Sequence, residues 1–93
     1  MSEASLQRYF KREAAKHKVF WRKIQWVGHR GCPDVFVAYK GRVLLVELKN
    51  PNQKGQLSRQ QDRMIRNLID VGVEVQVAAS KEEVDRVIRS LTQ

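Results

Sequence analysis

A chain of 93 residues has material for one domain around one core. Its hydrophobic residues come in runs far shorter than the roughly 18 to 20 apolar positions of a membrane-spanning helix, its polar start lacks the pattern of a secretory signal, and its lone cysteine, Cys32, allows neither an internal disulfide nor a thiolate zinc cluster. With 18 Lys and Arg against 10 Asp and Glu the net charge is +8, so the expectation is a soluble, intracellular protein, outside any membrane, whose partner is a polyanion.

Residues 2 to 17 space Leu6, Phe10 and Ala14 four apart, the apolar stripe of an amphipathic helix. From Val19 to Val27 aromatic and branched residues alternate with Lys and Gln, which predicts a partly covered strand carrying Trp21 and Trp26 on opposite faces, one of them free to be exposed. Gly28 to Cys32 breaks it. A second strand is expected from about Pro33 to Tyr39, a tight turn at Lys40-Gly41, and a third strand from Arg42 to Lys49. Val43 to Val46 are apolar without alternation, which predicts a central strand covered on both sides.

Asn50 to Leu57 reads as a polar loop. The next helix, Ser58 to Val71, carries the stripe Met64, Ile65, Leu68, Ile69 and exits at Gly72. Val73, Val75 and Val77 alternate with Glu74 and Gln76 as a fourth strand, set parallel to its neighbour by a helical crossover. Ser80 and Glu83 have the spacing of a capping box ahead of Val84, Val87, Ile88 and Leu91. The order is helix, three strands, helix, strand, helix, with residues 1 to 93 as a single domain.

Three polar residues resist a purely structural reading. Glu47 and Lys49 project from one face of the third strand where its apolar run ends, and a hairpin through Lys40-Gly41 carries Asp34 opposite them. Two carboxylates held together repel unless a divalent cation lies between them, and an all-oxygen site suits Mg²⁺ or Mn²⁺. Such an ion polarises a phosphodiester, and an adjacent lysine orients the attacking water or meets developing negative charge. An ordinary Glu-Lys pair at a strand end accounts for Glu47 and Lys49 alone, but not for Asp34 in the partner strand. His17 and His29 are too far apart to read as a metal pair, and Cys32 has the setting of a small buried residue rather than a nucleophile. His29 and Arg30 in the loop before Asp34, with Lys54 and Arg59, are candidate phosphate contacts.

Gly31-Cys32-Pro33-Asp34 followed by Glu47-Leu48-Lys49 resembles the bipartite signature of the PD-(D/E)XK nuclease superfamily, and the αβββαβ order resembles its restriction-endonuclease-like core. Lys23-Ile24-Gln25-Trp26, Pro51, Gln61 and Gly72-Val73-Glu74-Val75 extend the likeness to the short, stand-alone VRR-NUC (virus-type replication-repair nuclease) group of phages and bacteria. This resemblance implies an α/β fold with a four-stranded mixed sheet, helices flanking it and a C-terminal helix added to the core. It also implies Asp34, Glu47 and the main-chain carbonyl of Leu48 as metal ligands, Lys49 as the catalytic lysine and Gln61 as the helix glutamine. Ser58 and Gln61 equally have capping-box spacing, so the helix start alone accounts for a glutamine there. The family's acid from the first helix falls on Glu3, with Glu13 as a substitute.

The expected activity is Mg²⁺- or Mn²⁺-dependent endonucleolytic cleavage of DNA with little sequence specificity, selective for flaps, forks or four-way junctions, as in DNA repair and recombination. No organic cofactor is called for. Symmetric incision of a branched substrate needs two sites, which a homodimer supplies. Rival readings are a non-catalytic nucleic-acid-binding module and an RNA-directed nuclease.

Overall fold

The computed structural model describes residues 1–53 and 56–93. The elements are α1 (Glu3–Lys16), β1 (Phe20–Lys23), β2 (Val35–Tyr39), β3 (Arg42–Leu48), a 3₁₀ turn (Pro51–Gln53), α2 (Arg59–Asp70), β4 (Val75–Ala78) and α3 (Lys81–Thr92). They form a four-stranded sheet in the order β1-β2-β3-β4, antiparallel except for the parallel β3–β4 pair. The α/β class and the mixed sheet flanked by helices are as the sequence leads one to expect.

The β2–β3 hairpin turns where Lys40 (φ 47°) and Gly41 (φ 85°) both adopt the left-handed conformation, the geometry of a two-residue turn whose twist suits the flanking strands. Its register pairs Val35 with Val46 and Val37 with Leu44. These four side chains share one sheet face with Trp21, Leu48 and Ala78, and that face meets Leu6, Phe10 and Ala14 of α1 and Val84, Val87, Ile88 and Leu91 of α3. Each Val, Leu, Ile or Phe so buried contributes about 1.5–3 kcal/mol, so this layer holds most of the stability. Phe10 and Trp21 meet edge to face at 6.1 Å. Tyr9 donates to Asp85 Oδ1 at 2.7 Å and ties α1 to α3; that hydrogen bond, with burial, raises the phenol to about 12 and keeps it a donor.

The opposite face is covered by α2, and lightly. Ile65 is the only buried residue of that helix, while Ile69 is 51% exposed. The expected stripe therefore seats one residue deeply, because the helix lies over a four-residue strand at the sheet edge. Val43, at the hairpin end of β3, is 47% exposed, so the cover from both sides begins at Leu44 rather than Val43.

Two further expectations are corrected. Strand β1 ends at Lys23 instead of Val27, because its partner runs out: Ile24 N–H donates to Asp34 O at 2.9 Å, and beyond it Gly28 (φ 78°) and Gly31 (φ 77°) turn the chain away. Trp26 therefore stands on a loop, its indole N–H donating to Pro33 O at 2.7 Å, while Trp21 is buried in the core. At the start of α3, Ser80 Oγ accepts from Glu83 N–H, but the Glu83 carboxylate reaches Ala79 N–H rather than the cap residue's own. No described helix is long and apolar enough to cross a membrane.

Candidate active site

The chemistry-bearing side chains lie on the α2 face of the sheet, at the end where β3 leaves it. Extending the β2–β3 register by one residue past Val35↔Val46 sets Asp34 directly opposite Glu47. They form the non-hydrogen-bonded kind of antiparallel pair, in which facing side chains are closest. Glu47 is 6% exposed and is the only buried charged residue among those described. Burial, followed by the charge of Asp34, pushes its carboxyl up to about 7, with Glu3 adding to the rise and Lys49 and Lys23 opposing it.

The next pair in the same register sets Pro33 opposite Leu48. Leu45 and Lys49 turn their N–H groups to the β4 side, donating to Glu74 O (3.0 Å) and Ala78 O (2.9 Å), so Leu48 presents its peptide groups toward β2. Proline has no N–H to give there. Leu48 N–H goes instead to Asp34 Oδ1 at 3.3 Å, and the Leu48 carbonyl is left without a ladder donor on that side. One proline thus both orients an aspartate and frees a main-chain oxygen beside it.

Gln61 joins the remaining parts. Its Oε1 accepts from Lys49 Nζ and from Ser58 N–H, both at 2.9 Å, and its Nε2 donates to Glu47 Oε2 at 3.1 Å. Capping and contact with Glu47 and Lys49 therefore coexist, because a glutamine at the third helical position faces back over the helix start, where its Oε1 takes both the cap N–H and the lysine. The helix start is held close by Gly31, where an added Cβ would lie 3.0 Å from the Gln60 carbonyl carbon and oxygen and from Gln61 N. A side chain at that position would push α2 off.

Lys23 and Gln7 are the residues that sequence reasoning missed as site residues. Lys23 Nζ lies 2.8 Å from Asp34 Oδ2 and 3.0 Å from Gln7 Oε1. Lys23 shares the α1 face with Val35, its partner in the register, and reaches Asp34 around the strand end. No local signal marks this in the sequence, which runs the first strand on to Val27 and so sets Lys23 in mid-strand, whereas β1 ends at Lys23.

Other expected residues fall further out. Glu3 is exposed in the first turn of α1; its charge is felt by Glu47, yet no three His, Cys, Asp or Glu side chains among the described residues converge into a ready cage. Glu13 pairs with Lys16 at 2.8 Å and lines a pocket with Asp85 and Arg89, at the other end of α1 from Glu3, which removes it as a substitute. His29 and Arg30 are exposed on the loop, His29 in a groove of about 300 Å³ with Trp26 and Cys32. Burial and the charge of Glu47 push the Cys32 thiol up, away from the thiolate form. Arg59 lines a groove of about 410 Å³ along α2 with Arg63 and Arg66. Lys54 lies outside the described residues.

A hard divalent cation is tested by the donors present. Two facing carboxylates, one raised to about 7 by burial and its neighbour's charge, and a carbonyl lacking a ladder partner form an oxygen set of the type such ions take. The residues fit.

Comparison with known proteins gives the family and the fold. The family model described as the VRR-NUC domain matches residues 1–82. A solved structure described as a VRR_NUC domain is similar to the chain with a TM-score of 0.84 and 27% sequence identity, covering 94% of this chain and 94% of that one. No curated protein matches.

Proposed function

The chain belongs to the VRR-NUC domain family, a nuclease family, and from that premise we propose that residues 1–93 form one domain that hydrolyses DNA phosphodiester bonds with Mg²⁺ or Mn²⁺. The observation that carries the reading is the buried Glu47 facing Asp34 and bridged through Gln61 to Lys49. Asp34, Glu47 and the Leu48 carbonyl would hold the ion, with Glu3 contributing negative charge from α1. When bound, the ion supplies Lewis-acid stabilisation of charge on the phosphate and relieves the repulsion between the carboxylates.

The chain's own residues do the rest. Lys49, steered by Gln61, presents a cationic donor to the attacking water or to the charge that builds at phosphorus. Gln61 keeps Glu47 and Lys49 from collapsing into a direct pair, since it takes one hydrogen-bonding position on each. Arg59, Arg63 and Arg66 along α2, together with His29 and Arg30 on the loop and Lys54, meet the phosphate backbone. These contacts read no base edge, so selectivity rests on DNA shape, in flaps, forks or four-way junctions. Two sites for paired incisions come from a homodimer; Phe20 and Val43, half-exposed on one sheet face that α2 leaves open, offer apolar surface for a second copy.

A cleavage screen on single-stranded, duplex, flap and four-way DNA, with matched RNA, tests the reading. Cutting of DNA with Mg²⁺ or Mn²⁺, abolished by chelator and by Glu47→Ala, is expected. Binding with no cutting anywhere would mark a non-catalytic module, preferred cutting of RNA would overturn the substrate, and a monomeric mass by light scattering would overturn the pairing.

A further inference from the structure

Both carboxylate oxygens of Asp34 already have partners. Oδ1 accepts from Leu48 N–H at 3.3 Å, and Oδ2 holds Lys23 Nζ at 2.8 Å. The first partner is main chain, fixed by the strand. The second is the tip of a long side chain that is 45% exposed, arriving from the far side of the sheet. Lys23 has a second acceptor in Gln7 Oε1 at 3.0 Å, on α1, so its ammonium has somewhere to remain if Asp34 is taken from it. Its charge also reaches Glu47, where it opposes the effect of Asp34.

Facing carboxylates without a cation between them are mutually repelling, and a unit positive charge at one of them lowers that cost. We propose that Lys23 is the internal counter-ion of the Asp34–Glu47 pair: it occupies Asp34 Oδ2 while no divalent cation is bound and gives that oxygen up when one binds, with Gln7 retaining the ammonium at the edge of the site. This rests on the metal-dependent reading above and adds to it a residue and a sign. A lysine that merely positions Asp34 would stay in place, and its loss would weaken cation binding. A lysine that competes with the cation has the opposite effect when removed.

The test is Mn²⁺ binding to the full chain, followed by the electron paramagnetic resonance signal of free Mn²⁺, for the wild type, Lys23→Gln, Lys23→Arg and Glu47→Ala. Lys23→Gln is expected to bind Mn²⁺ about tenfold more tightly, as removal of one nearby positive charge demands. Lys23→Arg keeps the charge and stays close to the wild type, and Glu47→Ala loses the site. Unfolding temperatures give a second reading: Lys23→Gln should be less stable than the wild type without metal and gain more on adding Mn²⁺. Unchanged or weaker affinity in Lys23→Gln overturns the counter-ion role while leaving the metal-dependent reading intact. A wild type that binds no Mn²⁺ overturns both.

Discussion

Lys49 Nζ and the backbone N–H of Ser58 donate to the same oxygen, Gln61 Oε1, each at 2.9 Å. A helix cap and the lysine we propose as catalytic are thereby joined through one side chain. Gln61→Leu should lose both, costing about 1 kcal/mol of stability and about 10- to 100-fold in cleavage. Ser58→Ala separates the two effects. It removes the hydroxyl that accepts from Gln61 N–H and costs similar stability, while the lysine contact, which uses the Ser58 main chain only as a neighbour, keeps cleavage near the wild-type rate.

Glu47 sets the pH behaviour. Its carboxyl is raised from an ordinary 4.5 to about 7 in the fold, so below 4.5 both folded and unfolded chains are protonated, and between about 4.5 and 7 only the folded chain holds the proton. Metal-free stability should therefore fall as pH rises through that window, by up to about 3 kcal/mol, and then level off. Glu47→Gln should flatten the slope in denaturant titrations.

Metal reverses the consequence for activity. On the proposed metal-dependent reading, cation and proton compete for the same carboxylate, so the rise of cleavage with pH should sit near 7 at low Mn²⁺ and move to lower pH as Mn²⁺ is increased. A midpoint indifferent to metal concentration would dissociate Glu47 from the ion.

Two glycines with nearly the same backbone angle should respond differently. Gly31 (φ 77°) has the backbone of Gln60 and Gln61 3.0 Å from where a Cβ would stand; Gly28 (φ 78°) has open space. Gly28→Ala should cost about 1 kcal/mol for the angle alone. Gly31→Ala should cost about 2–3 kcal/mol and also slow cleavage, since relief requires moving the helix that carries Gln61.

Salt dependence separates the arginines of α2. Each phosphate contact removed from Arg59 or Arg63 should lower the slope of log affinity against log salt by about 0.9. Arg66 is already engaged with Asp62 at 3.1 Å, and its substitution should change the slope less.

Much of this arrangement is legible in the sequence, for physical reasons. The two-residue turn at Lys40-Gly41 between the apolar runs Val35–Tyr39 and Arg42–Leu48 determines the register, and the register carries Asp34 to Glu47. The helix caps at Ser58 and Ser80 announce α2 and α3 in the same local way. What was hidden depends on where a partner ends. Nothing local to Gln25 or Trp26 says that β2 has no more residues to pair with, and a long side chain such as Lys23 can cross the end of a sheet that its own strand assigns to the other face. The weak seating of Ile69 likewise follows from how little of β4 lies beneath it, a length that alternation through residues 73 to 79 overstates.

The single deep anchor of α2 has an effect on how the molecule fails when warmed. A helix held to the sheet chiefly by Ile65 detaches at lower free energy than the layer built on α1 and α3, so its amide hydrogens should exchange first. Heat would then silence the protein before melting it, with Gln61 swinging away from Lys49 while the strands beneath are still in register.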